Sequence, residues 1–132
     1  AARNYKLCLD EIKVRNFQKA VAAENYQNLA WTSKDGQWTI LVPEKPDDMV
    51  EEGRRQSHCV ASYIGGVTKG LYRVCFLRKA CNPDHPVLTL TVSQDNCCCY
   101  YKGFDNRDAT EEERKALLEW TKAKELTLDA VG

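Results

Sequence analysis

Three extended runs follow one another closely in the second half of this chain, and they limit its fold more than any other feature. Leu71-Tyr72-Arg73-Val74-Cys75-Phe76-Leu77-Arg78 is rich in β-branched and aromatic residues. Val87-Leu88-Thr89-Leu90-Thr91-Val92 alternates apolar residues with threonine, the period-two pattern of a half-buried strand. Cys97 to Lys102 returns after the turn signal Gln94-Asp95-Asn96. Loops this short between consecutive strands lead to antiparallel neighbours, so the three runs predict a meander.

Helical patterns surround the meander. Residues 3–30 read as helix, with Leu9, Ile12, Phe17, Ala20, Val21 and Leu29 on a recurring apolar face and no Gly or Pro before Gly36. Ser33-Lys34-Asp35-Gly36 carries the Asp-Gly hairpin signal, with Trp31 opening one short strand and Gln37 to Val42 forming the other. Pro46-Asp47-Asp48 is a helix start, because proline lacks the N–H that a first turn cannot satisfy and the acids suit the positive helix end. That helix is expected to falter at Gly53 and resume from His58 to Ile64, with Gly65, Gly66 and Gly70 as turn residues. Thr110 with Glu113 three residues on is a capping box, and Leu117, Trp120 and Ala123 form the stripe of a last helix. The expected class is α+β: N-terminal helix, short hairpin, central helix with a His-Cys motif, mainly antiparallel sheet with a three-strand meander, and C-terminal helix.

A length of 132 residues fits a single domain spanning 1–132. Nineteen basic and nineteen acidic side chains cancel, so no global field gathers nucleic acid and any such binding needs a local patch. Arg54, Arg55, Lys69, Arg73, Arg78 and Lys79 can supply one; an ordinary solvated charged face is the competing reading. No apolar run reaches the roughly 18–20 residues of a membrane-spanning helix, and the first residues carry no secretory signal. A cytoplasmic protein is expected. The seven cysteines are odd in number, three are consecutive and none has C-x-x-C spacing, which argues against structural zinc and for reduced thiols used as small hydrophobes. No metal and no cofactor is expected.

Chemistry concentrates around Glu51 to Tyr63. His58 and Cys59 are adjacent, and on a helix neighbours diverge by about 100°, so they cannot form a dyad with each other. Cys59 is expected to be buried, and His58 either meets a ligand or caps a turn. Arg78, at a strand end, suits an anion or pairing with an acid. Asn106, in the loop after Gly103, suits a turn.

The order Ile40-Leu41-Val42-Pro43, Glu52-Gly53, His58-Cys59-Val60, Ser62-Tyr63, Gly70, Phe76-Leu77-Arg78, Pro86, Thr89-Leu90, and Gly103 with Asn106 resembles the C-terminal domain of PcfJ-like proteins, over about residues 38–122. The resemblance implies one domain of a longer protein, encoded on conjugative plasmids, phages and related mobile elements of bacteria. It also implies that the family's shared polar positions fall on His58, Cys59, Tyr63, Arg78 and Asn106. Two departures stand out. Thr91 replaces the acid usual in that strand, and Tyr100 replaces the glutamine usual in the next. The family supplies no established activity.

Three functional readings follow. The first is a module of a mobile element that interacts with nucleic acid or with a protein of the same element. The second is an enzyme whose pocket centres on His58 and Arg78 and takes an anionic substrate. The third is a purely structural domain in which His58 and Tyr63 fix a helix against the sheet.

Overall fold

The computed structural model describes the backbone of residues 2–130 and the side chains of residues 10–130. Its elements run α1 (Ala2–Val21), α2 (Glu24–Gln27), β1 (Trp31–Thr32), β2 (Trp38–Leu41), α3 (Pro46–Gln56), a 3₁₀ turn (Val60–Tyr63), α4 (Ile64–Thr68), β3 (Tyr72–Lys79), β4 (Leu88–Ser93), β5 (Cys97–Lys102), a short turn at 104–106, α5 (Glu111–Ala123) and β6 (Thr127–Leu128). The six strands lie in one sheet in sequence order, antiparallel except for the β5–β6 pair. The class is α+β, as expected, and the hairpin joins the meander because β2 pairs with β3.

Register decides which side chains share a face. Val74 opposes Thr91, Phe76 opposes Thr89, and Tyr100 opposes Thr91. Side chains alternate along a strand. One face therefore carries Val74, Phe76, Arg78, Thr89, Thr91 and Tyr100, and α3 covers it. The other carries Cys75, Leu77, Leu88, Leu90 and Tyr101, and α5 covers that, with Arg114 donating to the Tyr101 hydroxyl at 2.8 Å. Capping of α5 is reciprocal: Glu113 N–H donates to Thr110 Oγ1 at 3.1 Å and Thr110 N–H to Glu113 Oε1 at 2.9 Å. The hairpin turn forms at Gly36, whose φ of 73° favours glycine.

Several boundaries differ from the expected ones. The first helix ends at Val21, and the chain re-enters α2 through an extended Ala23. Tyr26 supplies the reason. Its buried hydroxyl donates to Val74 O and accepts from Val74 N–H, both at 2.7 Å. Strand β2 stops at the level of Phe76, so the phenol completes the β3 ladder where β2 has run out. A continuous helix would not deliver that ring. Ile12 is exposed, and Ala116 rather than the exposed Ala123 lines the buried face of α5 with Leu117 and Trp120. Leu9 and Cys8 lie outside the described side chains.

The central segment differs most. Helix α3 passes through Gly53 and ends at Gln56, with Ser57 left-handed at φ 54°. Gly53 is a close-approach position, not a break: a Cβ there would lie 3.0 Å from His58 O, where the chain folds back to bond His58 N–H to Gly53 O at 3.1 Å. His58 and Cys59 therefore lie in a non-helical link, and Gly65 and Gly66 lie inside α4. A Cβ on Gly66 would overlap the Tyr72 hydroxyl at 2.1 Å, so glycine is what lets that ring lie against α4.

Tyr26→Phe should leave the Val74 N–H and C=O unpaired in the core and destabilise the fold by about 1–3 kcal/mol, read as a lowered urea midpoint at unchanged m-value.

Candidate functional site

The covered sheet face holds a buried polar chain that starts at Arg78. This side chain is 7% exposed, and four of its bonds are defined: Nε to Pro83 O at 3.1 Å, Nη1 to Glu52 Oε2 at 3.2 Å and to Leu77 O at 3.3 Å, and a very short contact from Nη2 to Glu52 Oε1. Glu52, only 2% exposed, reaches it from the buried face of α3 together with Met49, Gly53 and Gln56, the i, i+3, i+4, i+7 set of an amphipathic helix. The Thr89 hydroxyl donates to Glu52 Oε2 at 2.9 Å, and His58 Nε2 lies 2.8 Å from Thr89 Oγ1.

Proton counting assigns the histidine tautomer. Thr89 has one hydroxyl proton, and the carboxylate takes it. Thr89 must then accept from His58, so Nε2 carries a proton. Nδ1 is left with its lone pair, which accepts the Val60 N–H at 3.4 Å. The polar chain thus runs from His58 through Thr89 to Glu52, which Arg78 neutralises. Burial pushes the His58 pKa below its ordinary value, and the nearby Glu52 charge opposes that shift only in part. A neutral ring suits the geometry, because protonating Nδ1 would set its N–H against that of Val60.

The five residues singled out in the sequence divide into two groups. His58 and Arg78 are the ends of the internal chain. Cys59, Tyr63 and Asn106 gather instead around Tyr100, which donates its hydroxyl to Asn106 Oδ1 at 2.9 Å and whose pKa is raised by burial and then by proximity to Tyr63 and Cys59. Cys59 is exposed, contrary to expectation, because the non-helical link turns His58 inward and its neighbour outward. Asn106 is left-handed at φ 60°, a conformation Asn tolerates better than most residues. Tyr63 and Tyr72 stack with centroids 5.2 Å apart and planes tilted by 58°. Burial raises the Tyr72 and Tyr100 phenols, and Tyr63 raises each further, so the three rings form one half-exposed cluster.

Thr91 and Tyr100, the two departures from the family pattern, face each other across β4 and β5. Thr91 Oγ1 is buried without a hydrogen-bond partner among the described residues. A substitution at one position therefore meets the other directly.

The six cations read as one patch are dispersed. Arg78 is internal, Arg54 pairs with Glu51 at 2.5 Å, Arg55 donates to Asp84 O at 2.5 Å, and Lys79 sits 5.7 Å above the Trp38 ring. Lys69 and Arg73 alone among the six line a cavity of about 510 Å³ beside Tyr72, bounded by α2, the end of α4 and the β4–β5 turn. Arg73 is held there by Asn25 O at 2.9 Å, Ser93 O at 3.1 Å and Asn96 Oδ1 at 2.6 Å. The cavity bordered by Arg78 has Glu52 but not His58 in its wall. Among the described residues no group of three or more His, Cys, Asp or Glu side chains could hold a metal ion, and no helix is long and apolar enough to cross a membrane. Within the cysteine run, Cys98 is buried, with its thiol pKa raised by burial, and Cys99 is exposed.

Glu52 and Thr89 belong to the site without any local sequence pattern that marks them as polar partners. Glu52 was legible as half of the Glu-Gly pair in the motif, but its partners lie 26 and 37 residues away, beyond any local pattern.

A family model described as PcfJ-like protein matches residues 3–118, a wider span than 38–122 because it takes in α1. Comparison with curated proteins found no match, and neither did comparison with solved structures. The match covers most of the chain, which belongs to the PcfJ-like family.

Two outcomes test the internal chain. Glu52→Ala should cost about 3–5 kcal/mol by stranding a buried guanidinium. Because the folded His58 pKa lies below the unfolded value of about 6.5, its contribution is complete above that value and declines as pH falls through it, when the unfolded chain takes up a proton that the folded chain resists. Urea midpoints between neutral and mildly acidic pH should therefore drop more for the wild type than for His58→Gln.

Proposed function

We propose that this PcfJ-like chain is a nucleic-acid-interaction module of a bacterial mobile element, acting in the cytoplasm in plasmid or phage maintenance or transfer. The family resemblance suggests the setting. The carrying observation is the cavity beside Tyr72, which has Lys69 and Arg73 in its wall and, among the described residues, no carboxylate. A net-neutral chain needs such a local site to attract phosphates.

Single-stranded nucleic acid fits it best. Tyr72 lines the cavity together with the two cations, Tyr63 stacks against Tyr72, and base stacking on aromatic faces is worth about 1–3 kcal/mol per base. Phe104 is a further exposed ring, in the turn that carries Asn106. An enzyme acting on an anionic substrate draws less support. Arg78 is already occupied by Glu52, and both ring nitrogens of His58 are engaged.

Binding of a labelled oligothymidylate of about 16 nucleotides should weaken with salt, with a log–log slope near −0.7 for each phosphate contact. Lys69→Gln should reduce the slope by about that amount, and Tyr72→Leu should weaken binding about tenfold, at constant slope. No binding at low salt, or binding indifferent to salt, would contradict the proposal.

A further inference from the structure

A second cavity, of about 700 Å³, opens between the end of β2, the first turns of α3 and the loop following β3. Its character is opposite to that of the Lys69–Arg73 cavity. The wall includes apolar surface from Leu41, Val42, Phe76, Pro83 and Pro86, and Leu41 is 37% exposed although it belongs to a sheet strand. Five carboxylates and two guanidinium groups line it, a net charge of −3 in a chain whose total is zero.

The state of each charge matters more than the count. Arg78 and Glu52 cancel at the base. Asp48 accepts the backbone N–H groups of Glu44 and Lys45, which fixes the start of α3, and Glu51 holds Arg54. Arg55 spends one bond on the carbonyl of Asp84 and leaves the carboxylate of that residue unused. Among the described residues, Glu44 and Asp84 therefore carry rim carboxylates with no ion-pair partner, above an apolar wall that is partly open to water.

We propose that this cavity docks a cationic segment of a partner polypeptide, with a lysine or arginine meeting Glu44 and Asp84 and an adjacent apolar side chain covering Leu41. Charge complementarity selects that occupant. A phosphate backbone is repelled by the same rim, so the site is separate from the one proposed for nucleic acid and stands or falls independently of it. Burying Leu41 supplies affinity, and the carboxylates supply orientation and the choice of charge.

The test uses the ¹⁵N-labelled chain and a short capped peptide of alternating lysine and leucine, with its glutamate-for-lysine counterpart as control. Saturable amide shifts confined to residues 41–52 and 83–86 are expected with the lysine peptide and not with the control. The double variant Glu44→Gln/Asp84→Asn, in which both altered side chains lie at the rim, should keep the spectrum of the folded chain and bind the lysine peptide about tenfold more weakly. The proposal is overturned by absent or unsaturable shifts, by equal response to the glutamate peptide, or by undiminished binding to the variant.

Discussion

The ion pair between Glu52 and Arg78 is the constraint around which the covered face of the sheet is organised. Two opposite charges taken out of water must be matched in geometry as well as in sign, or the loss of hydration outweighs their attraction. The match here is a fork of guanidinium N–H groups on both carboxylate oxygens, with two further donors directed to the carbonyls of Pro83 and Leu77. Meeting those conditions sets the depth and rotation of α3 on β3 and β4. It also places Thr89 where it can serve only as a donor to Glu52 and an acceptor from His58. The motif residues Glu52, Gly53 and His58 then share one cause: the glycine permits the chain to fold back closely, and the histidine closes the polar chain.

This arrangement separates what holds the fold from what meets other molecules. His58 and Arg78, the residues with the most evident chemistry, point inward and are engaged by Thr89, Val60 and Glu52. The groups left half-exposed are the tyrosine cluster with Cys59 and Asn106, the Lys69–Arg73 cavity, and the acid-rimmed cavity across the face. In a chain of zero net charge, two cavities of opposite local character are more informative than the total.

Local signals suffice for several elements. The Asp35–Gly36 turn, the Thr110–Glu113 box, the alternation from Val87 to Val92 and the Pro46 start each depend on residues within a few positions of one another, and each element formed where its signal lay. The features that depart from local signals have non-local causes. Tyr26 interrupts a helical pattern because it completes a ladder 48 residues away. Gly53 and Gly66 signal breaks on propensity alone, yet each lies within a helix because another part of the chain passes too close for a Cβ. Cys59 was expected inside because cysteine usually is, and it lies outside because its neighbour occupies the inward position. The two-residue β6 had no pattern long enough to detect. The same limit applied to the site: the five candidate residues could be named, but not their division into two groups, since Glu52 and Thr89 reach their partners only through the fold.

The proton on His58 distinguishes a structural donor from a reactive base, and ¹⁵N NMR of its imidazole observes that proton directly. At neutral pH the ring should be neutral and protonated at Nε2, with Nδ1 showing the shift of a hydrogen-bond acceptor and the Nε2 proton protected from exchange. A ring protonated at Nδ1, a cationic ring at that pH, or an Nε2 proton exchanging freely with water would contradict the internal chain from His58 to Arg78.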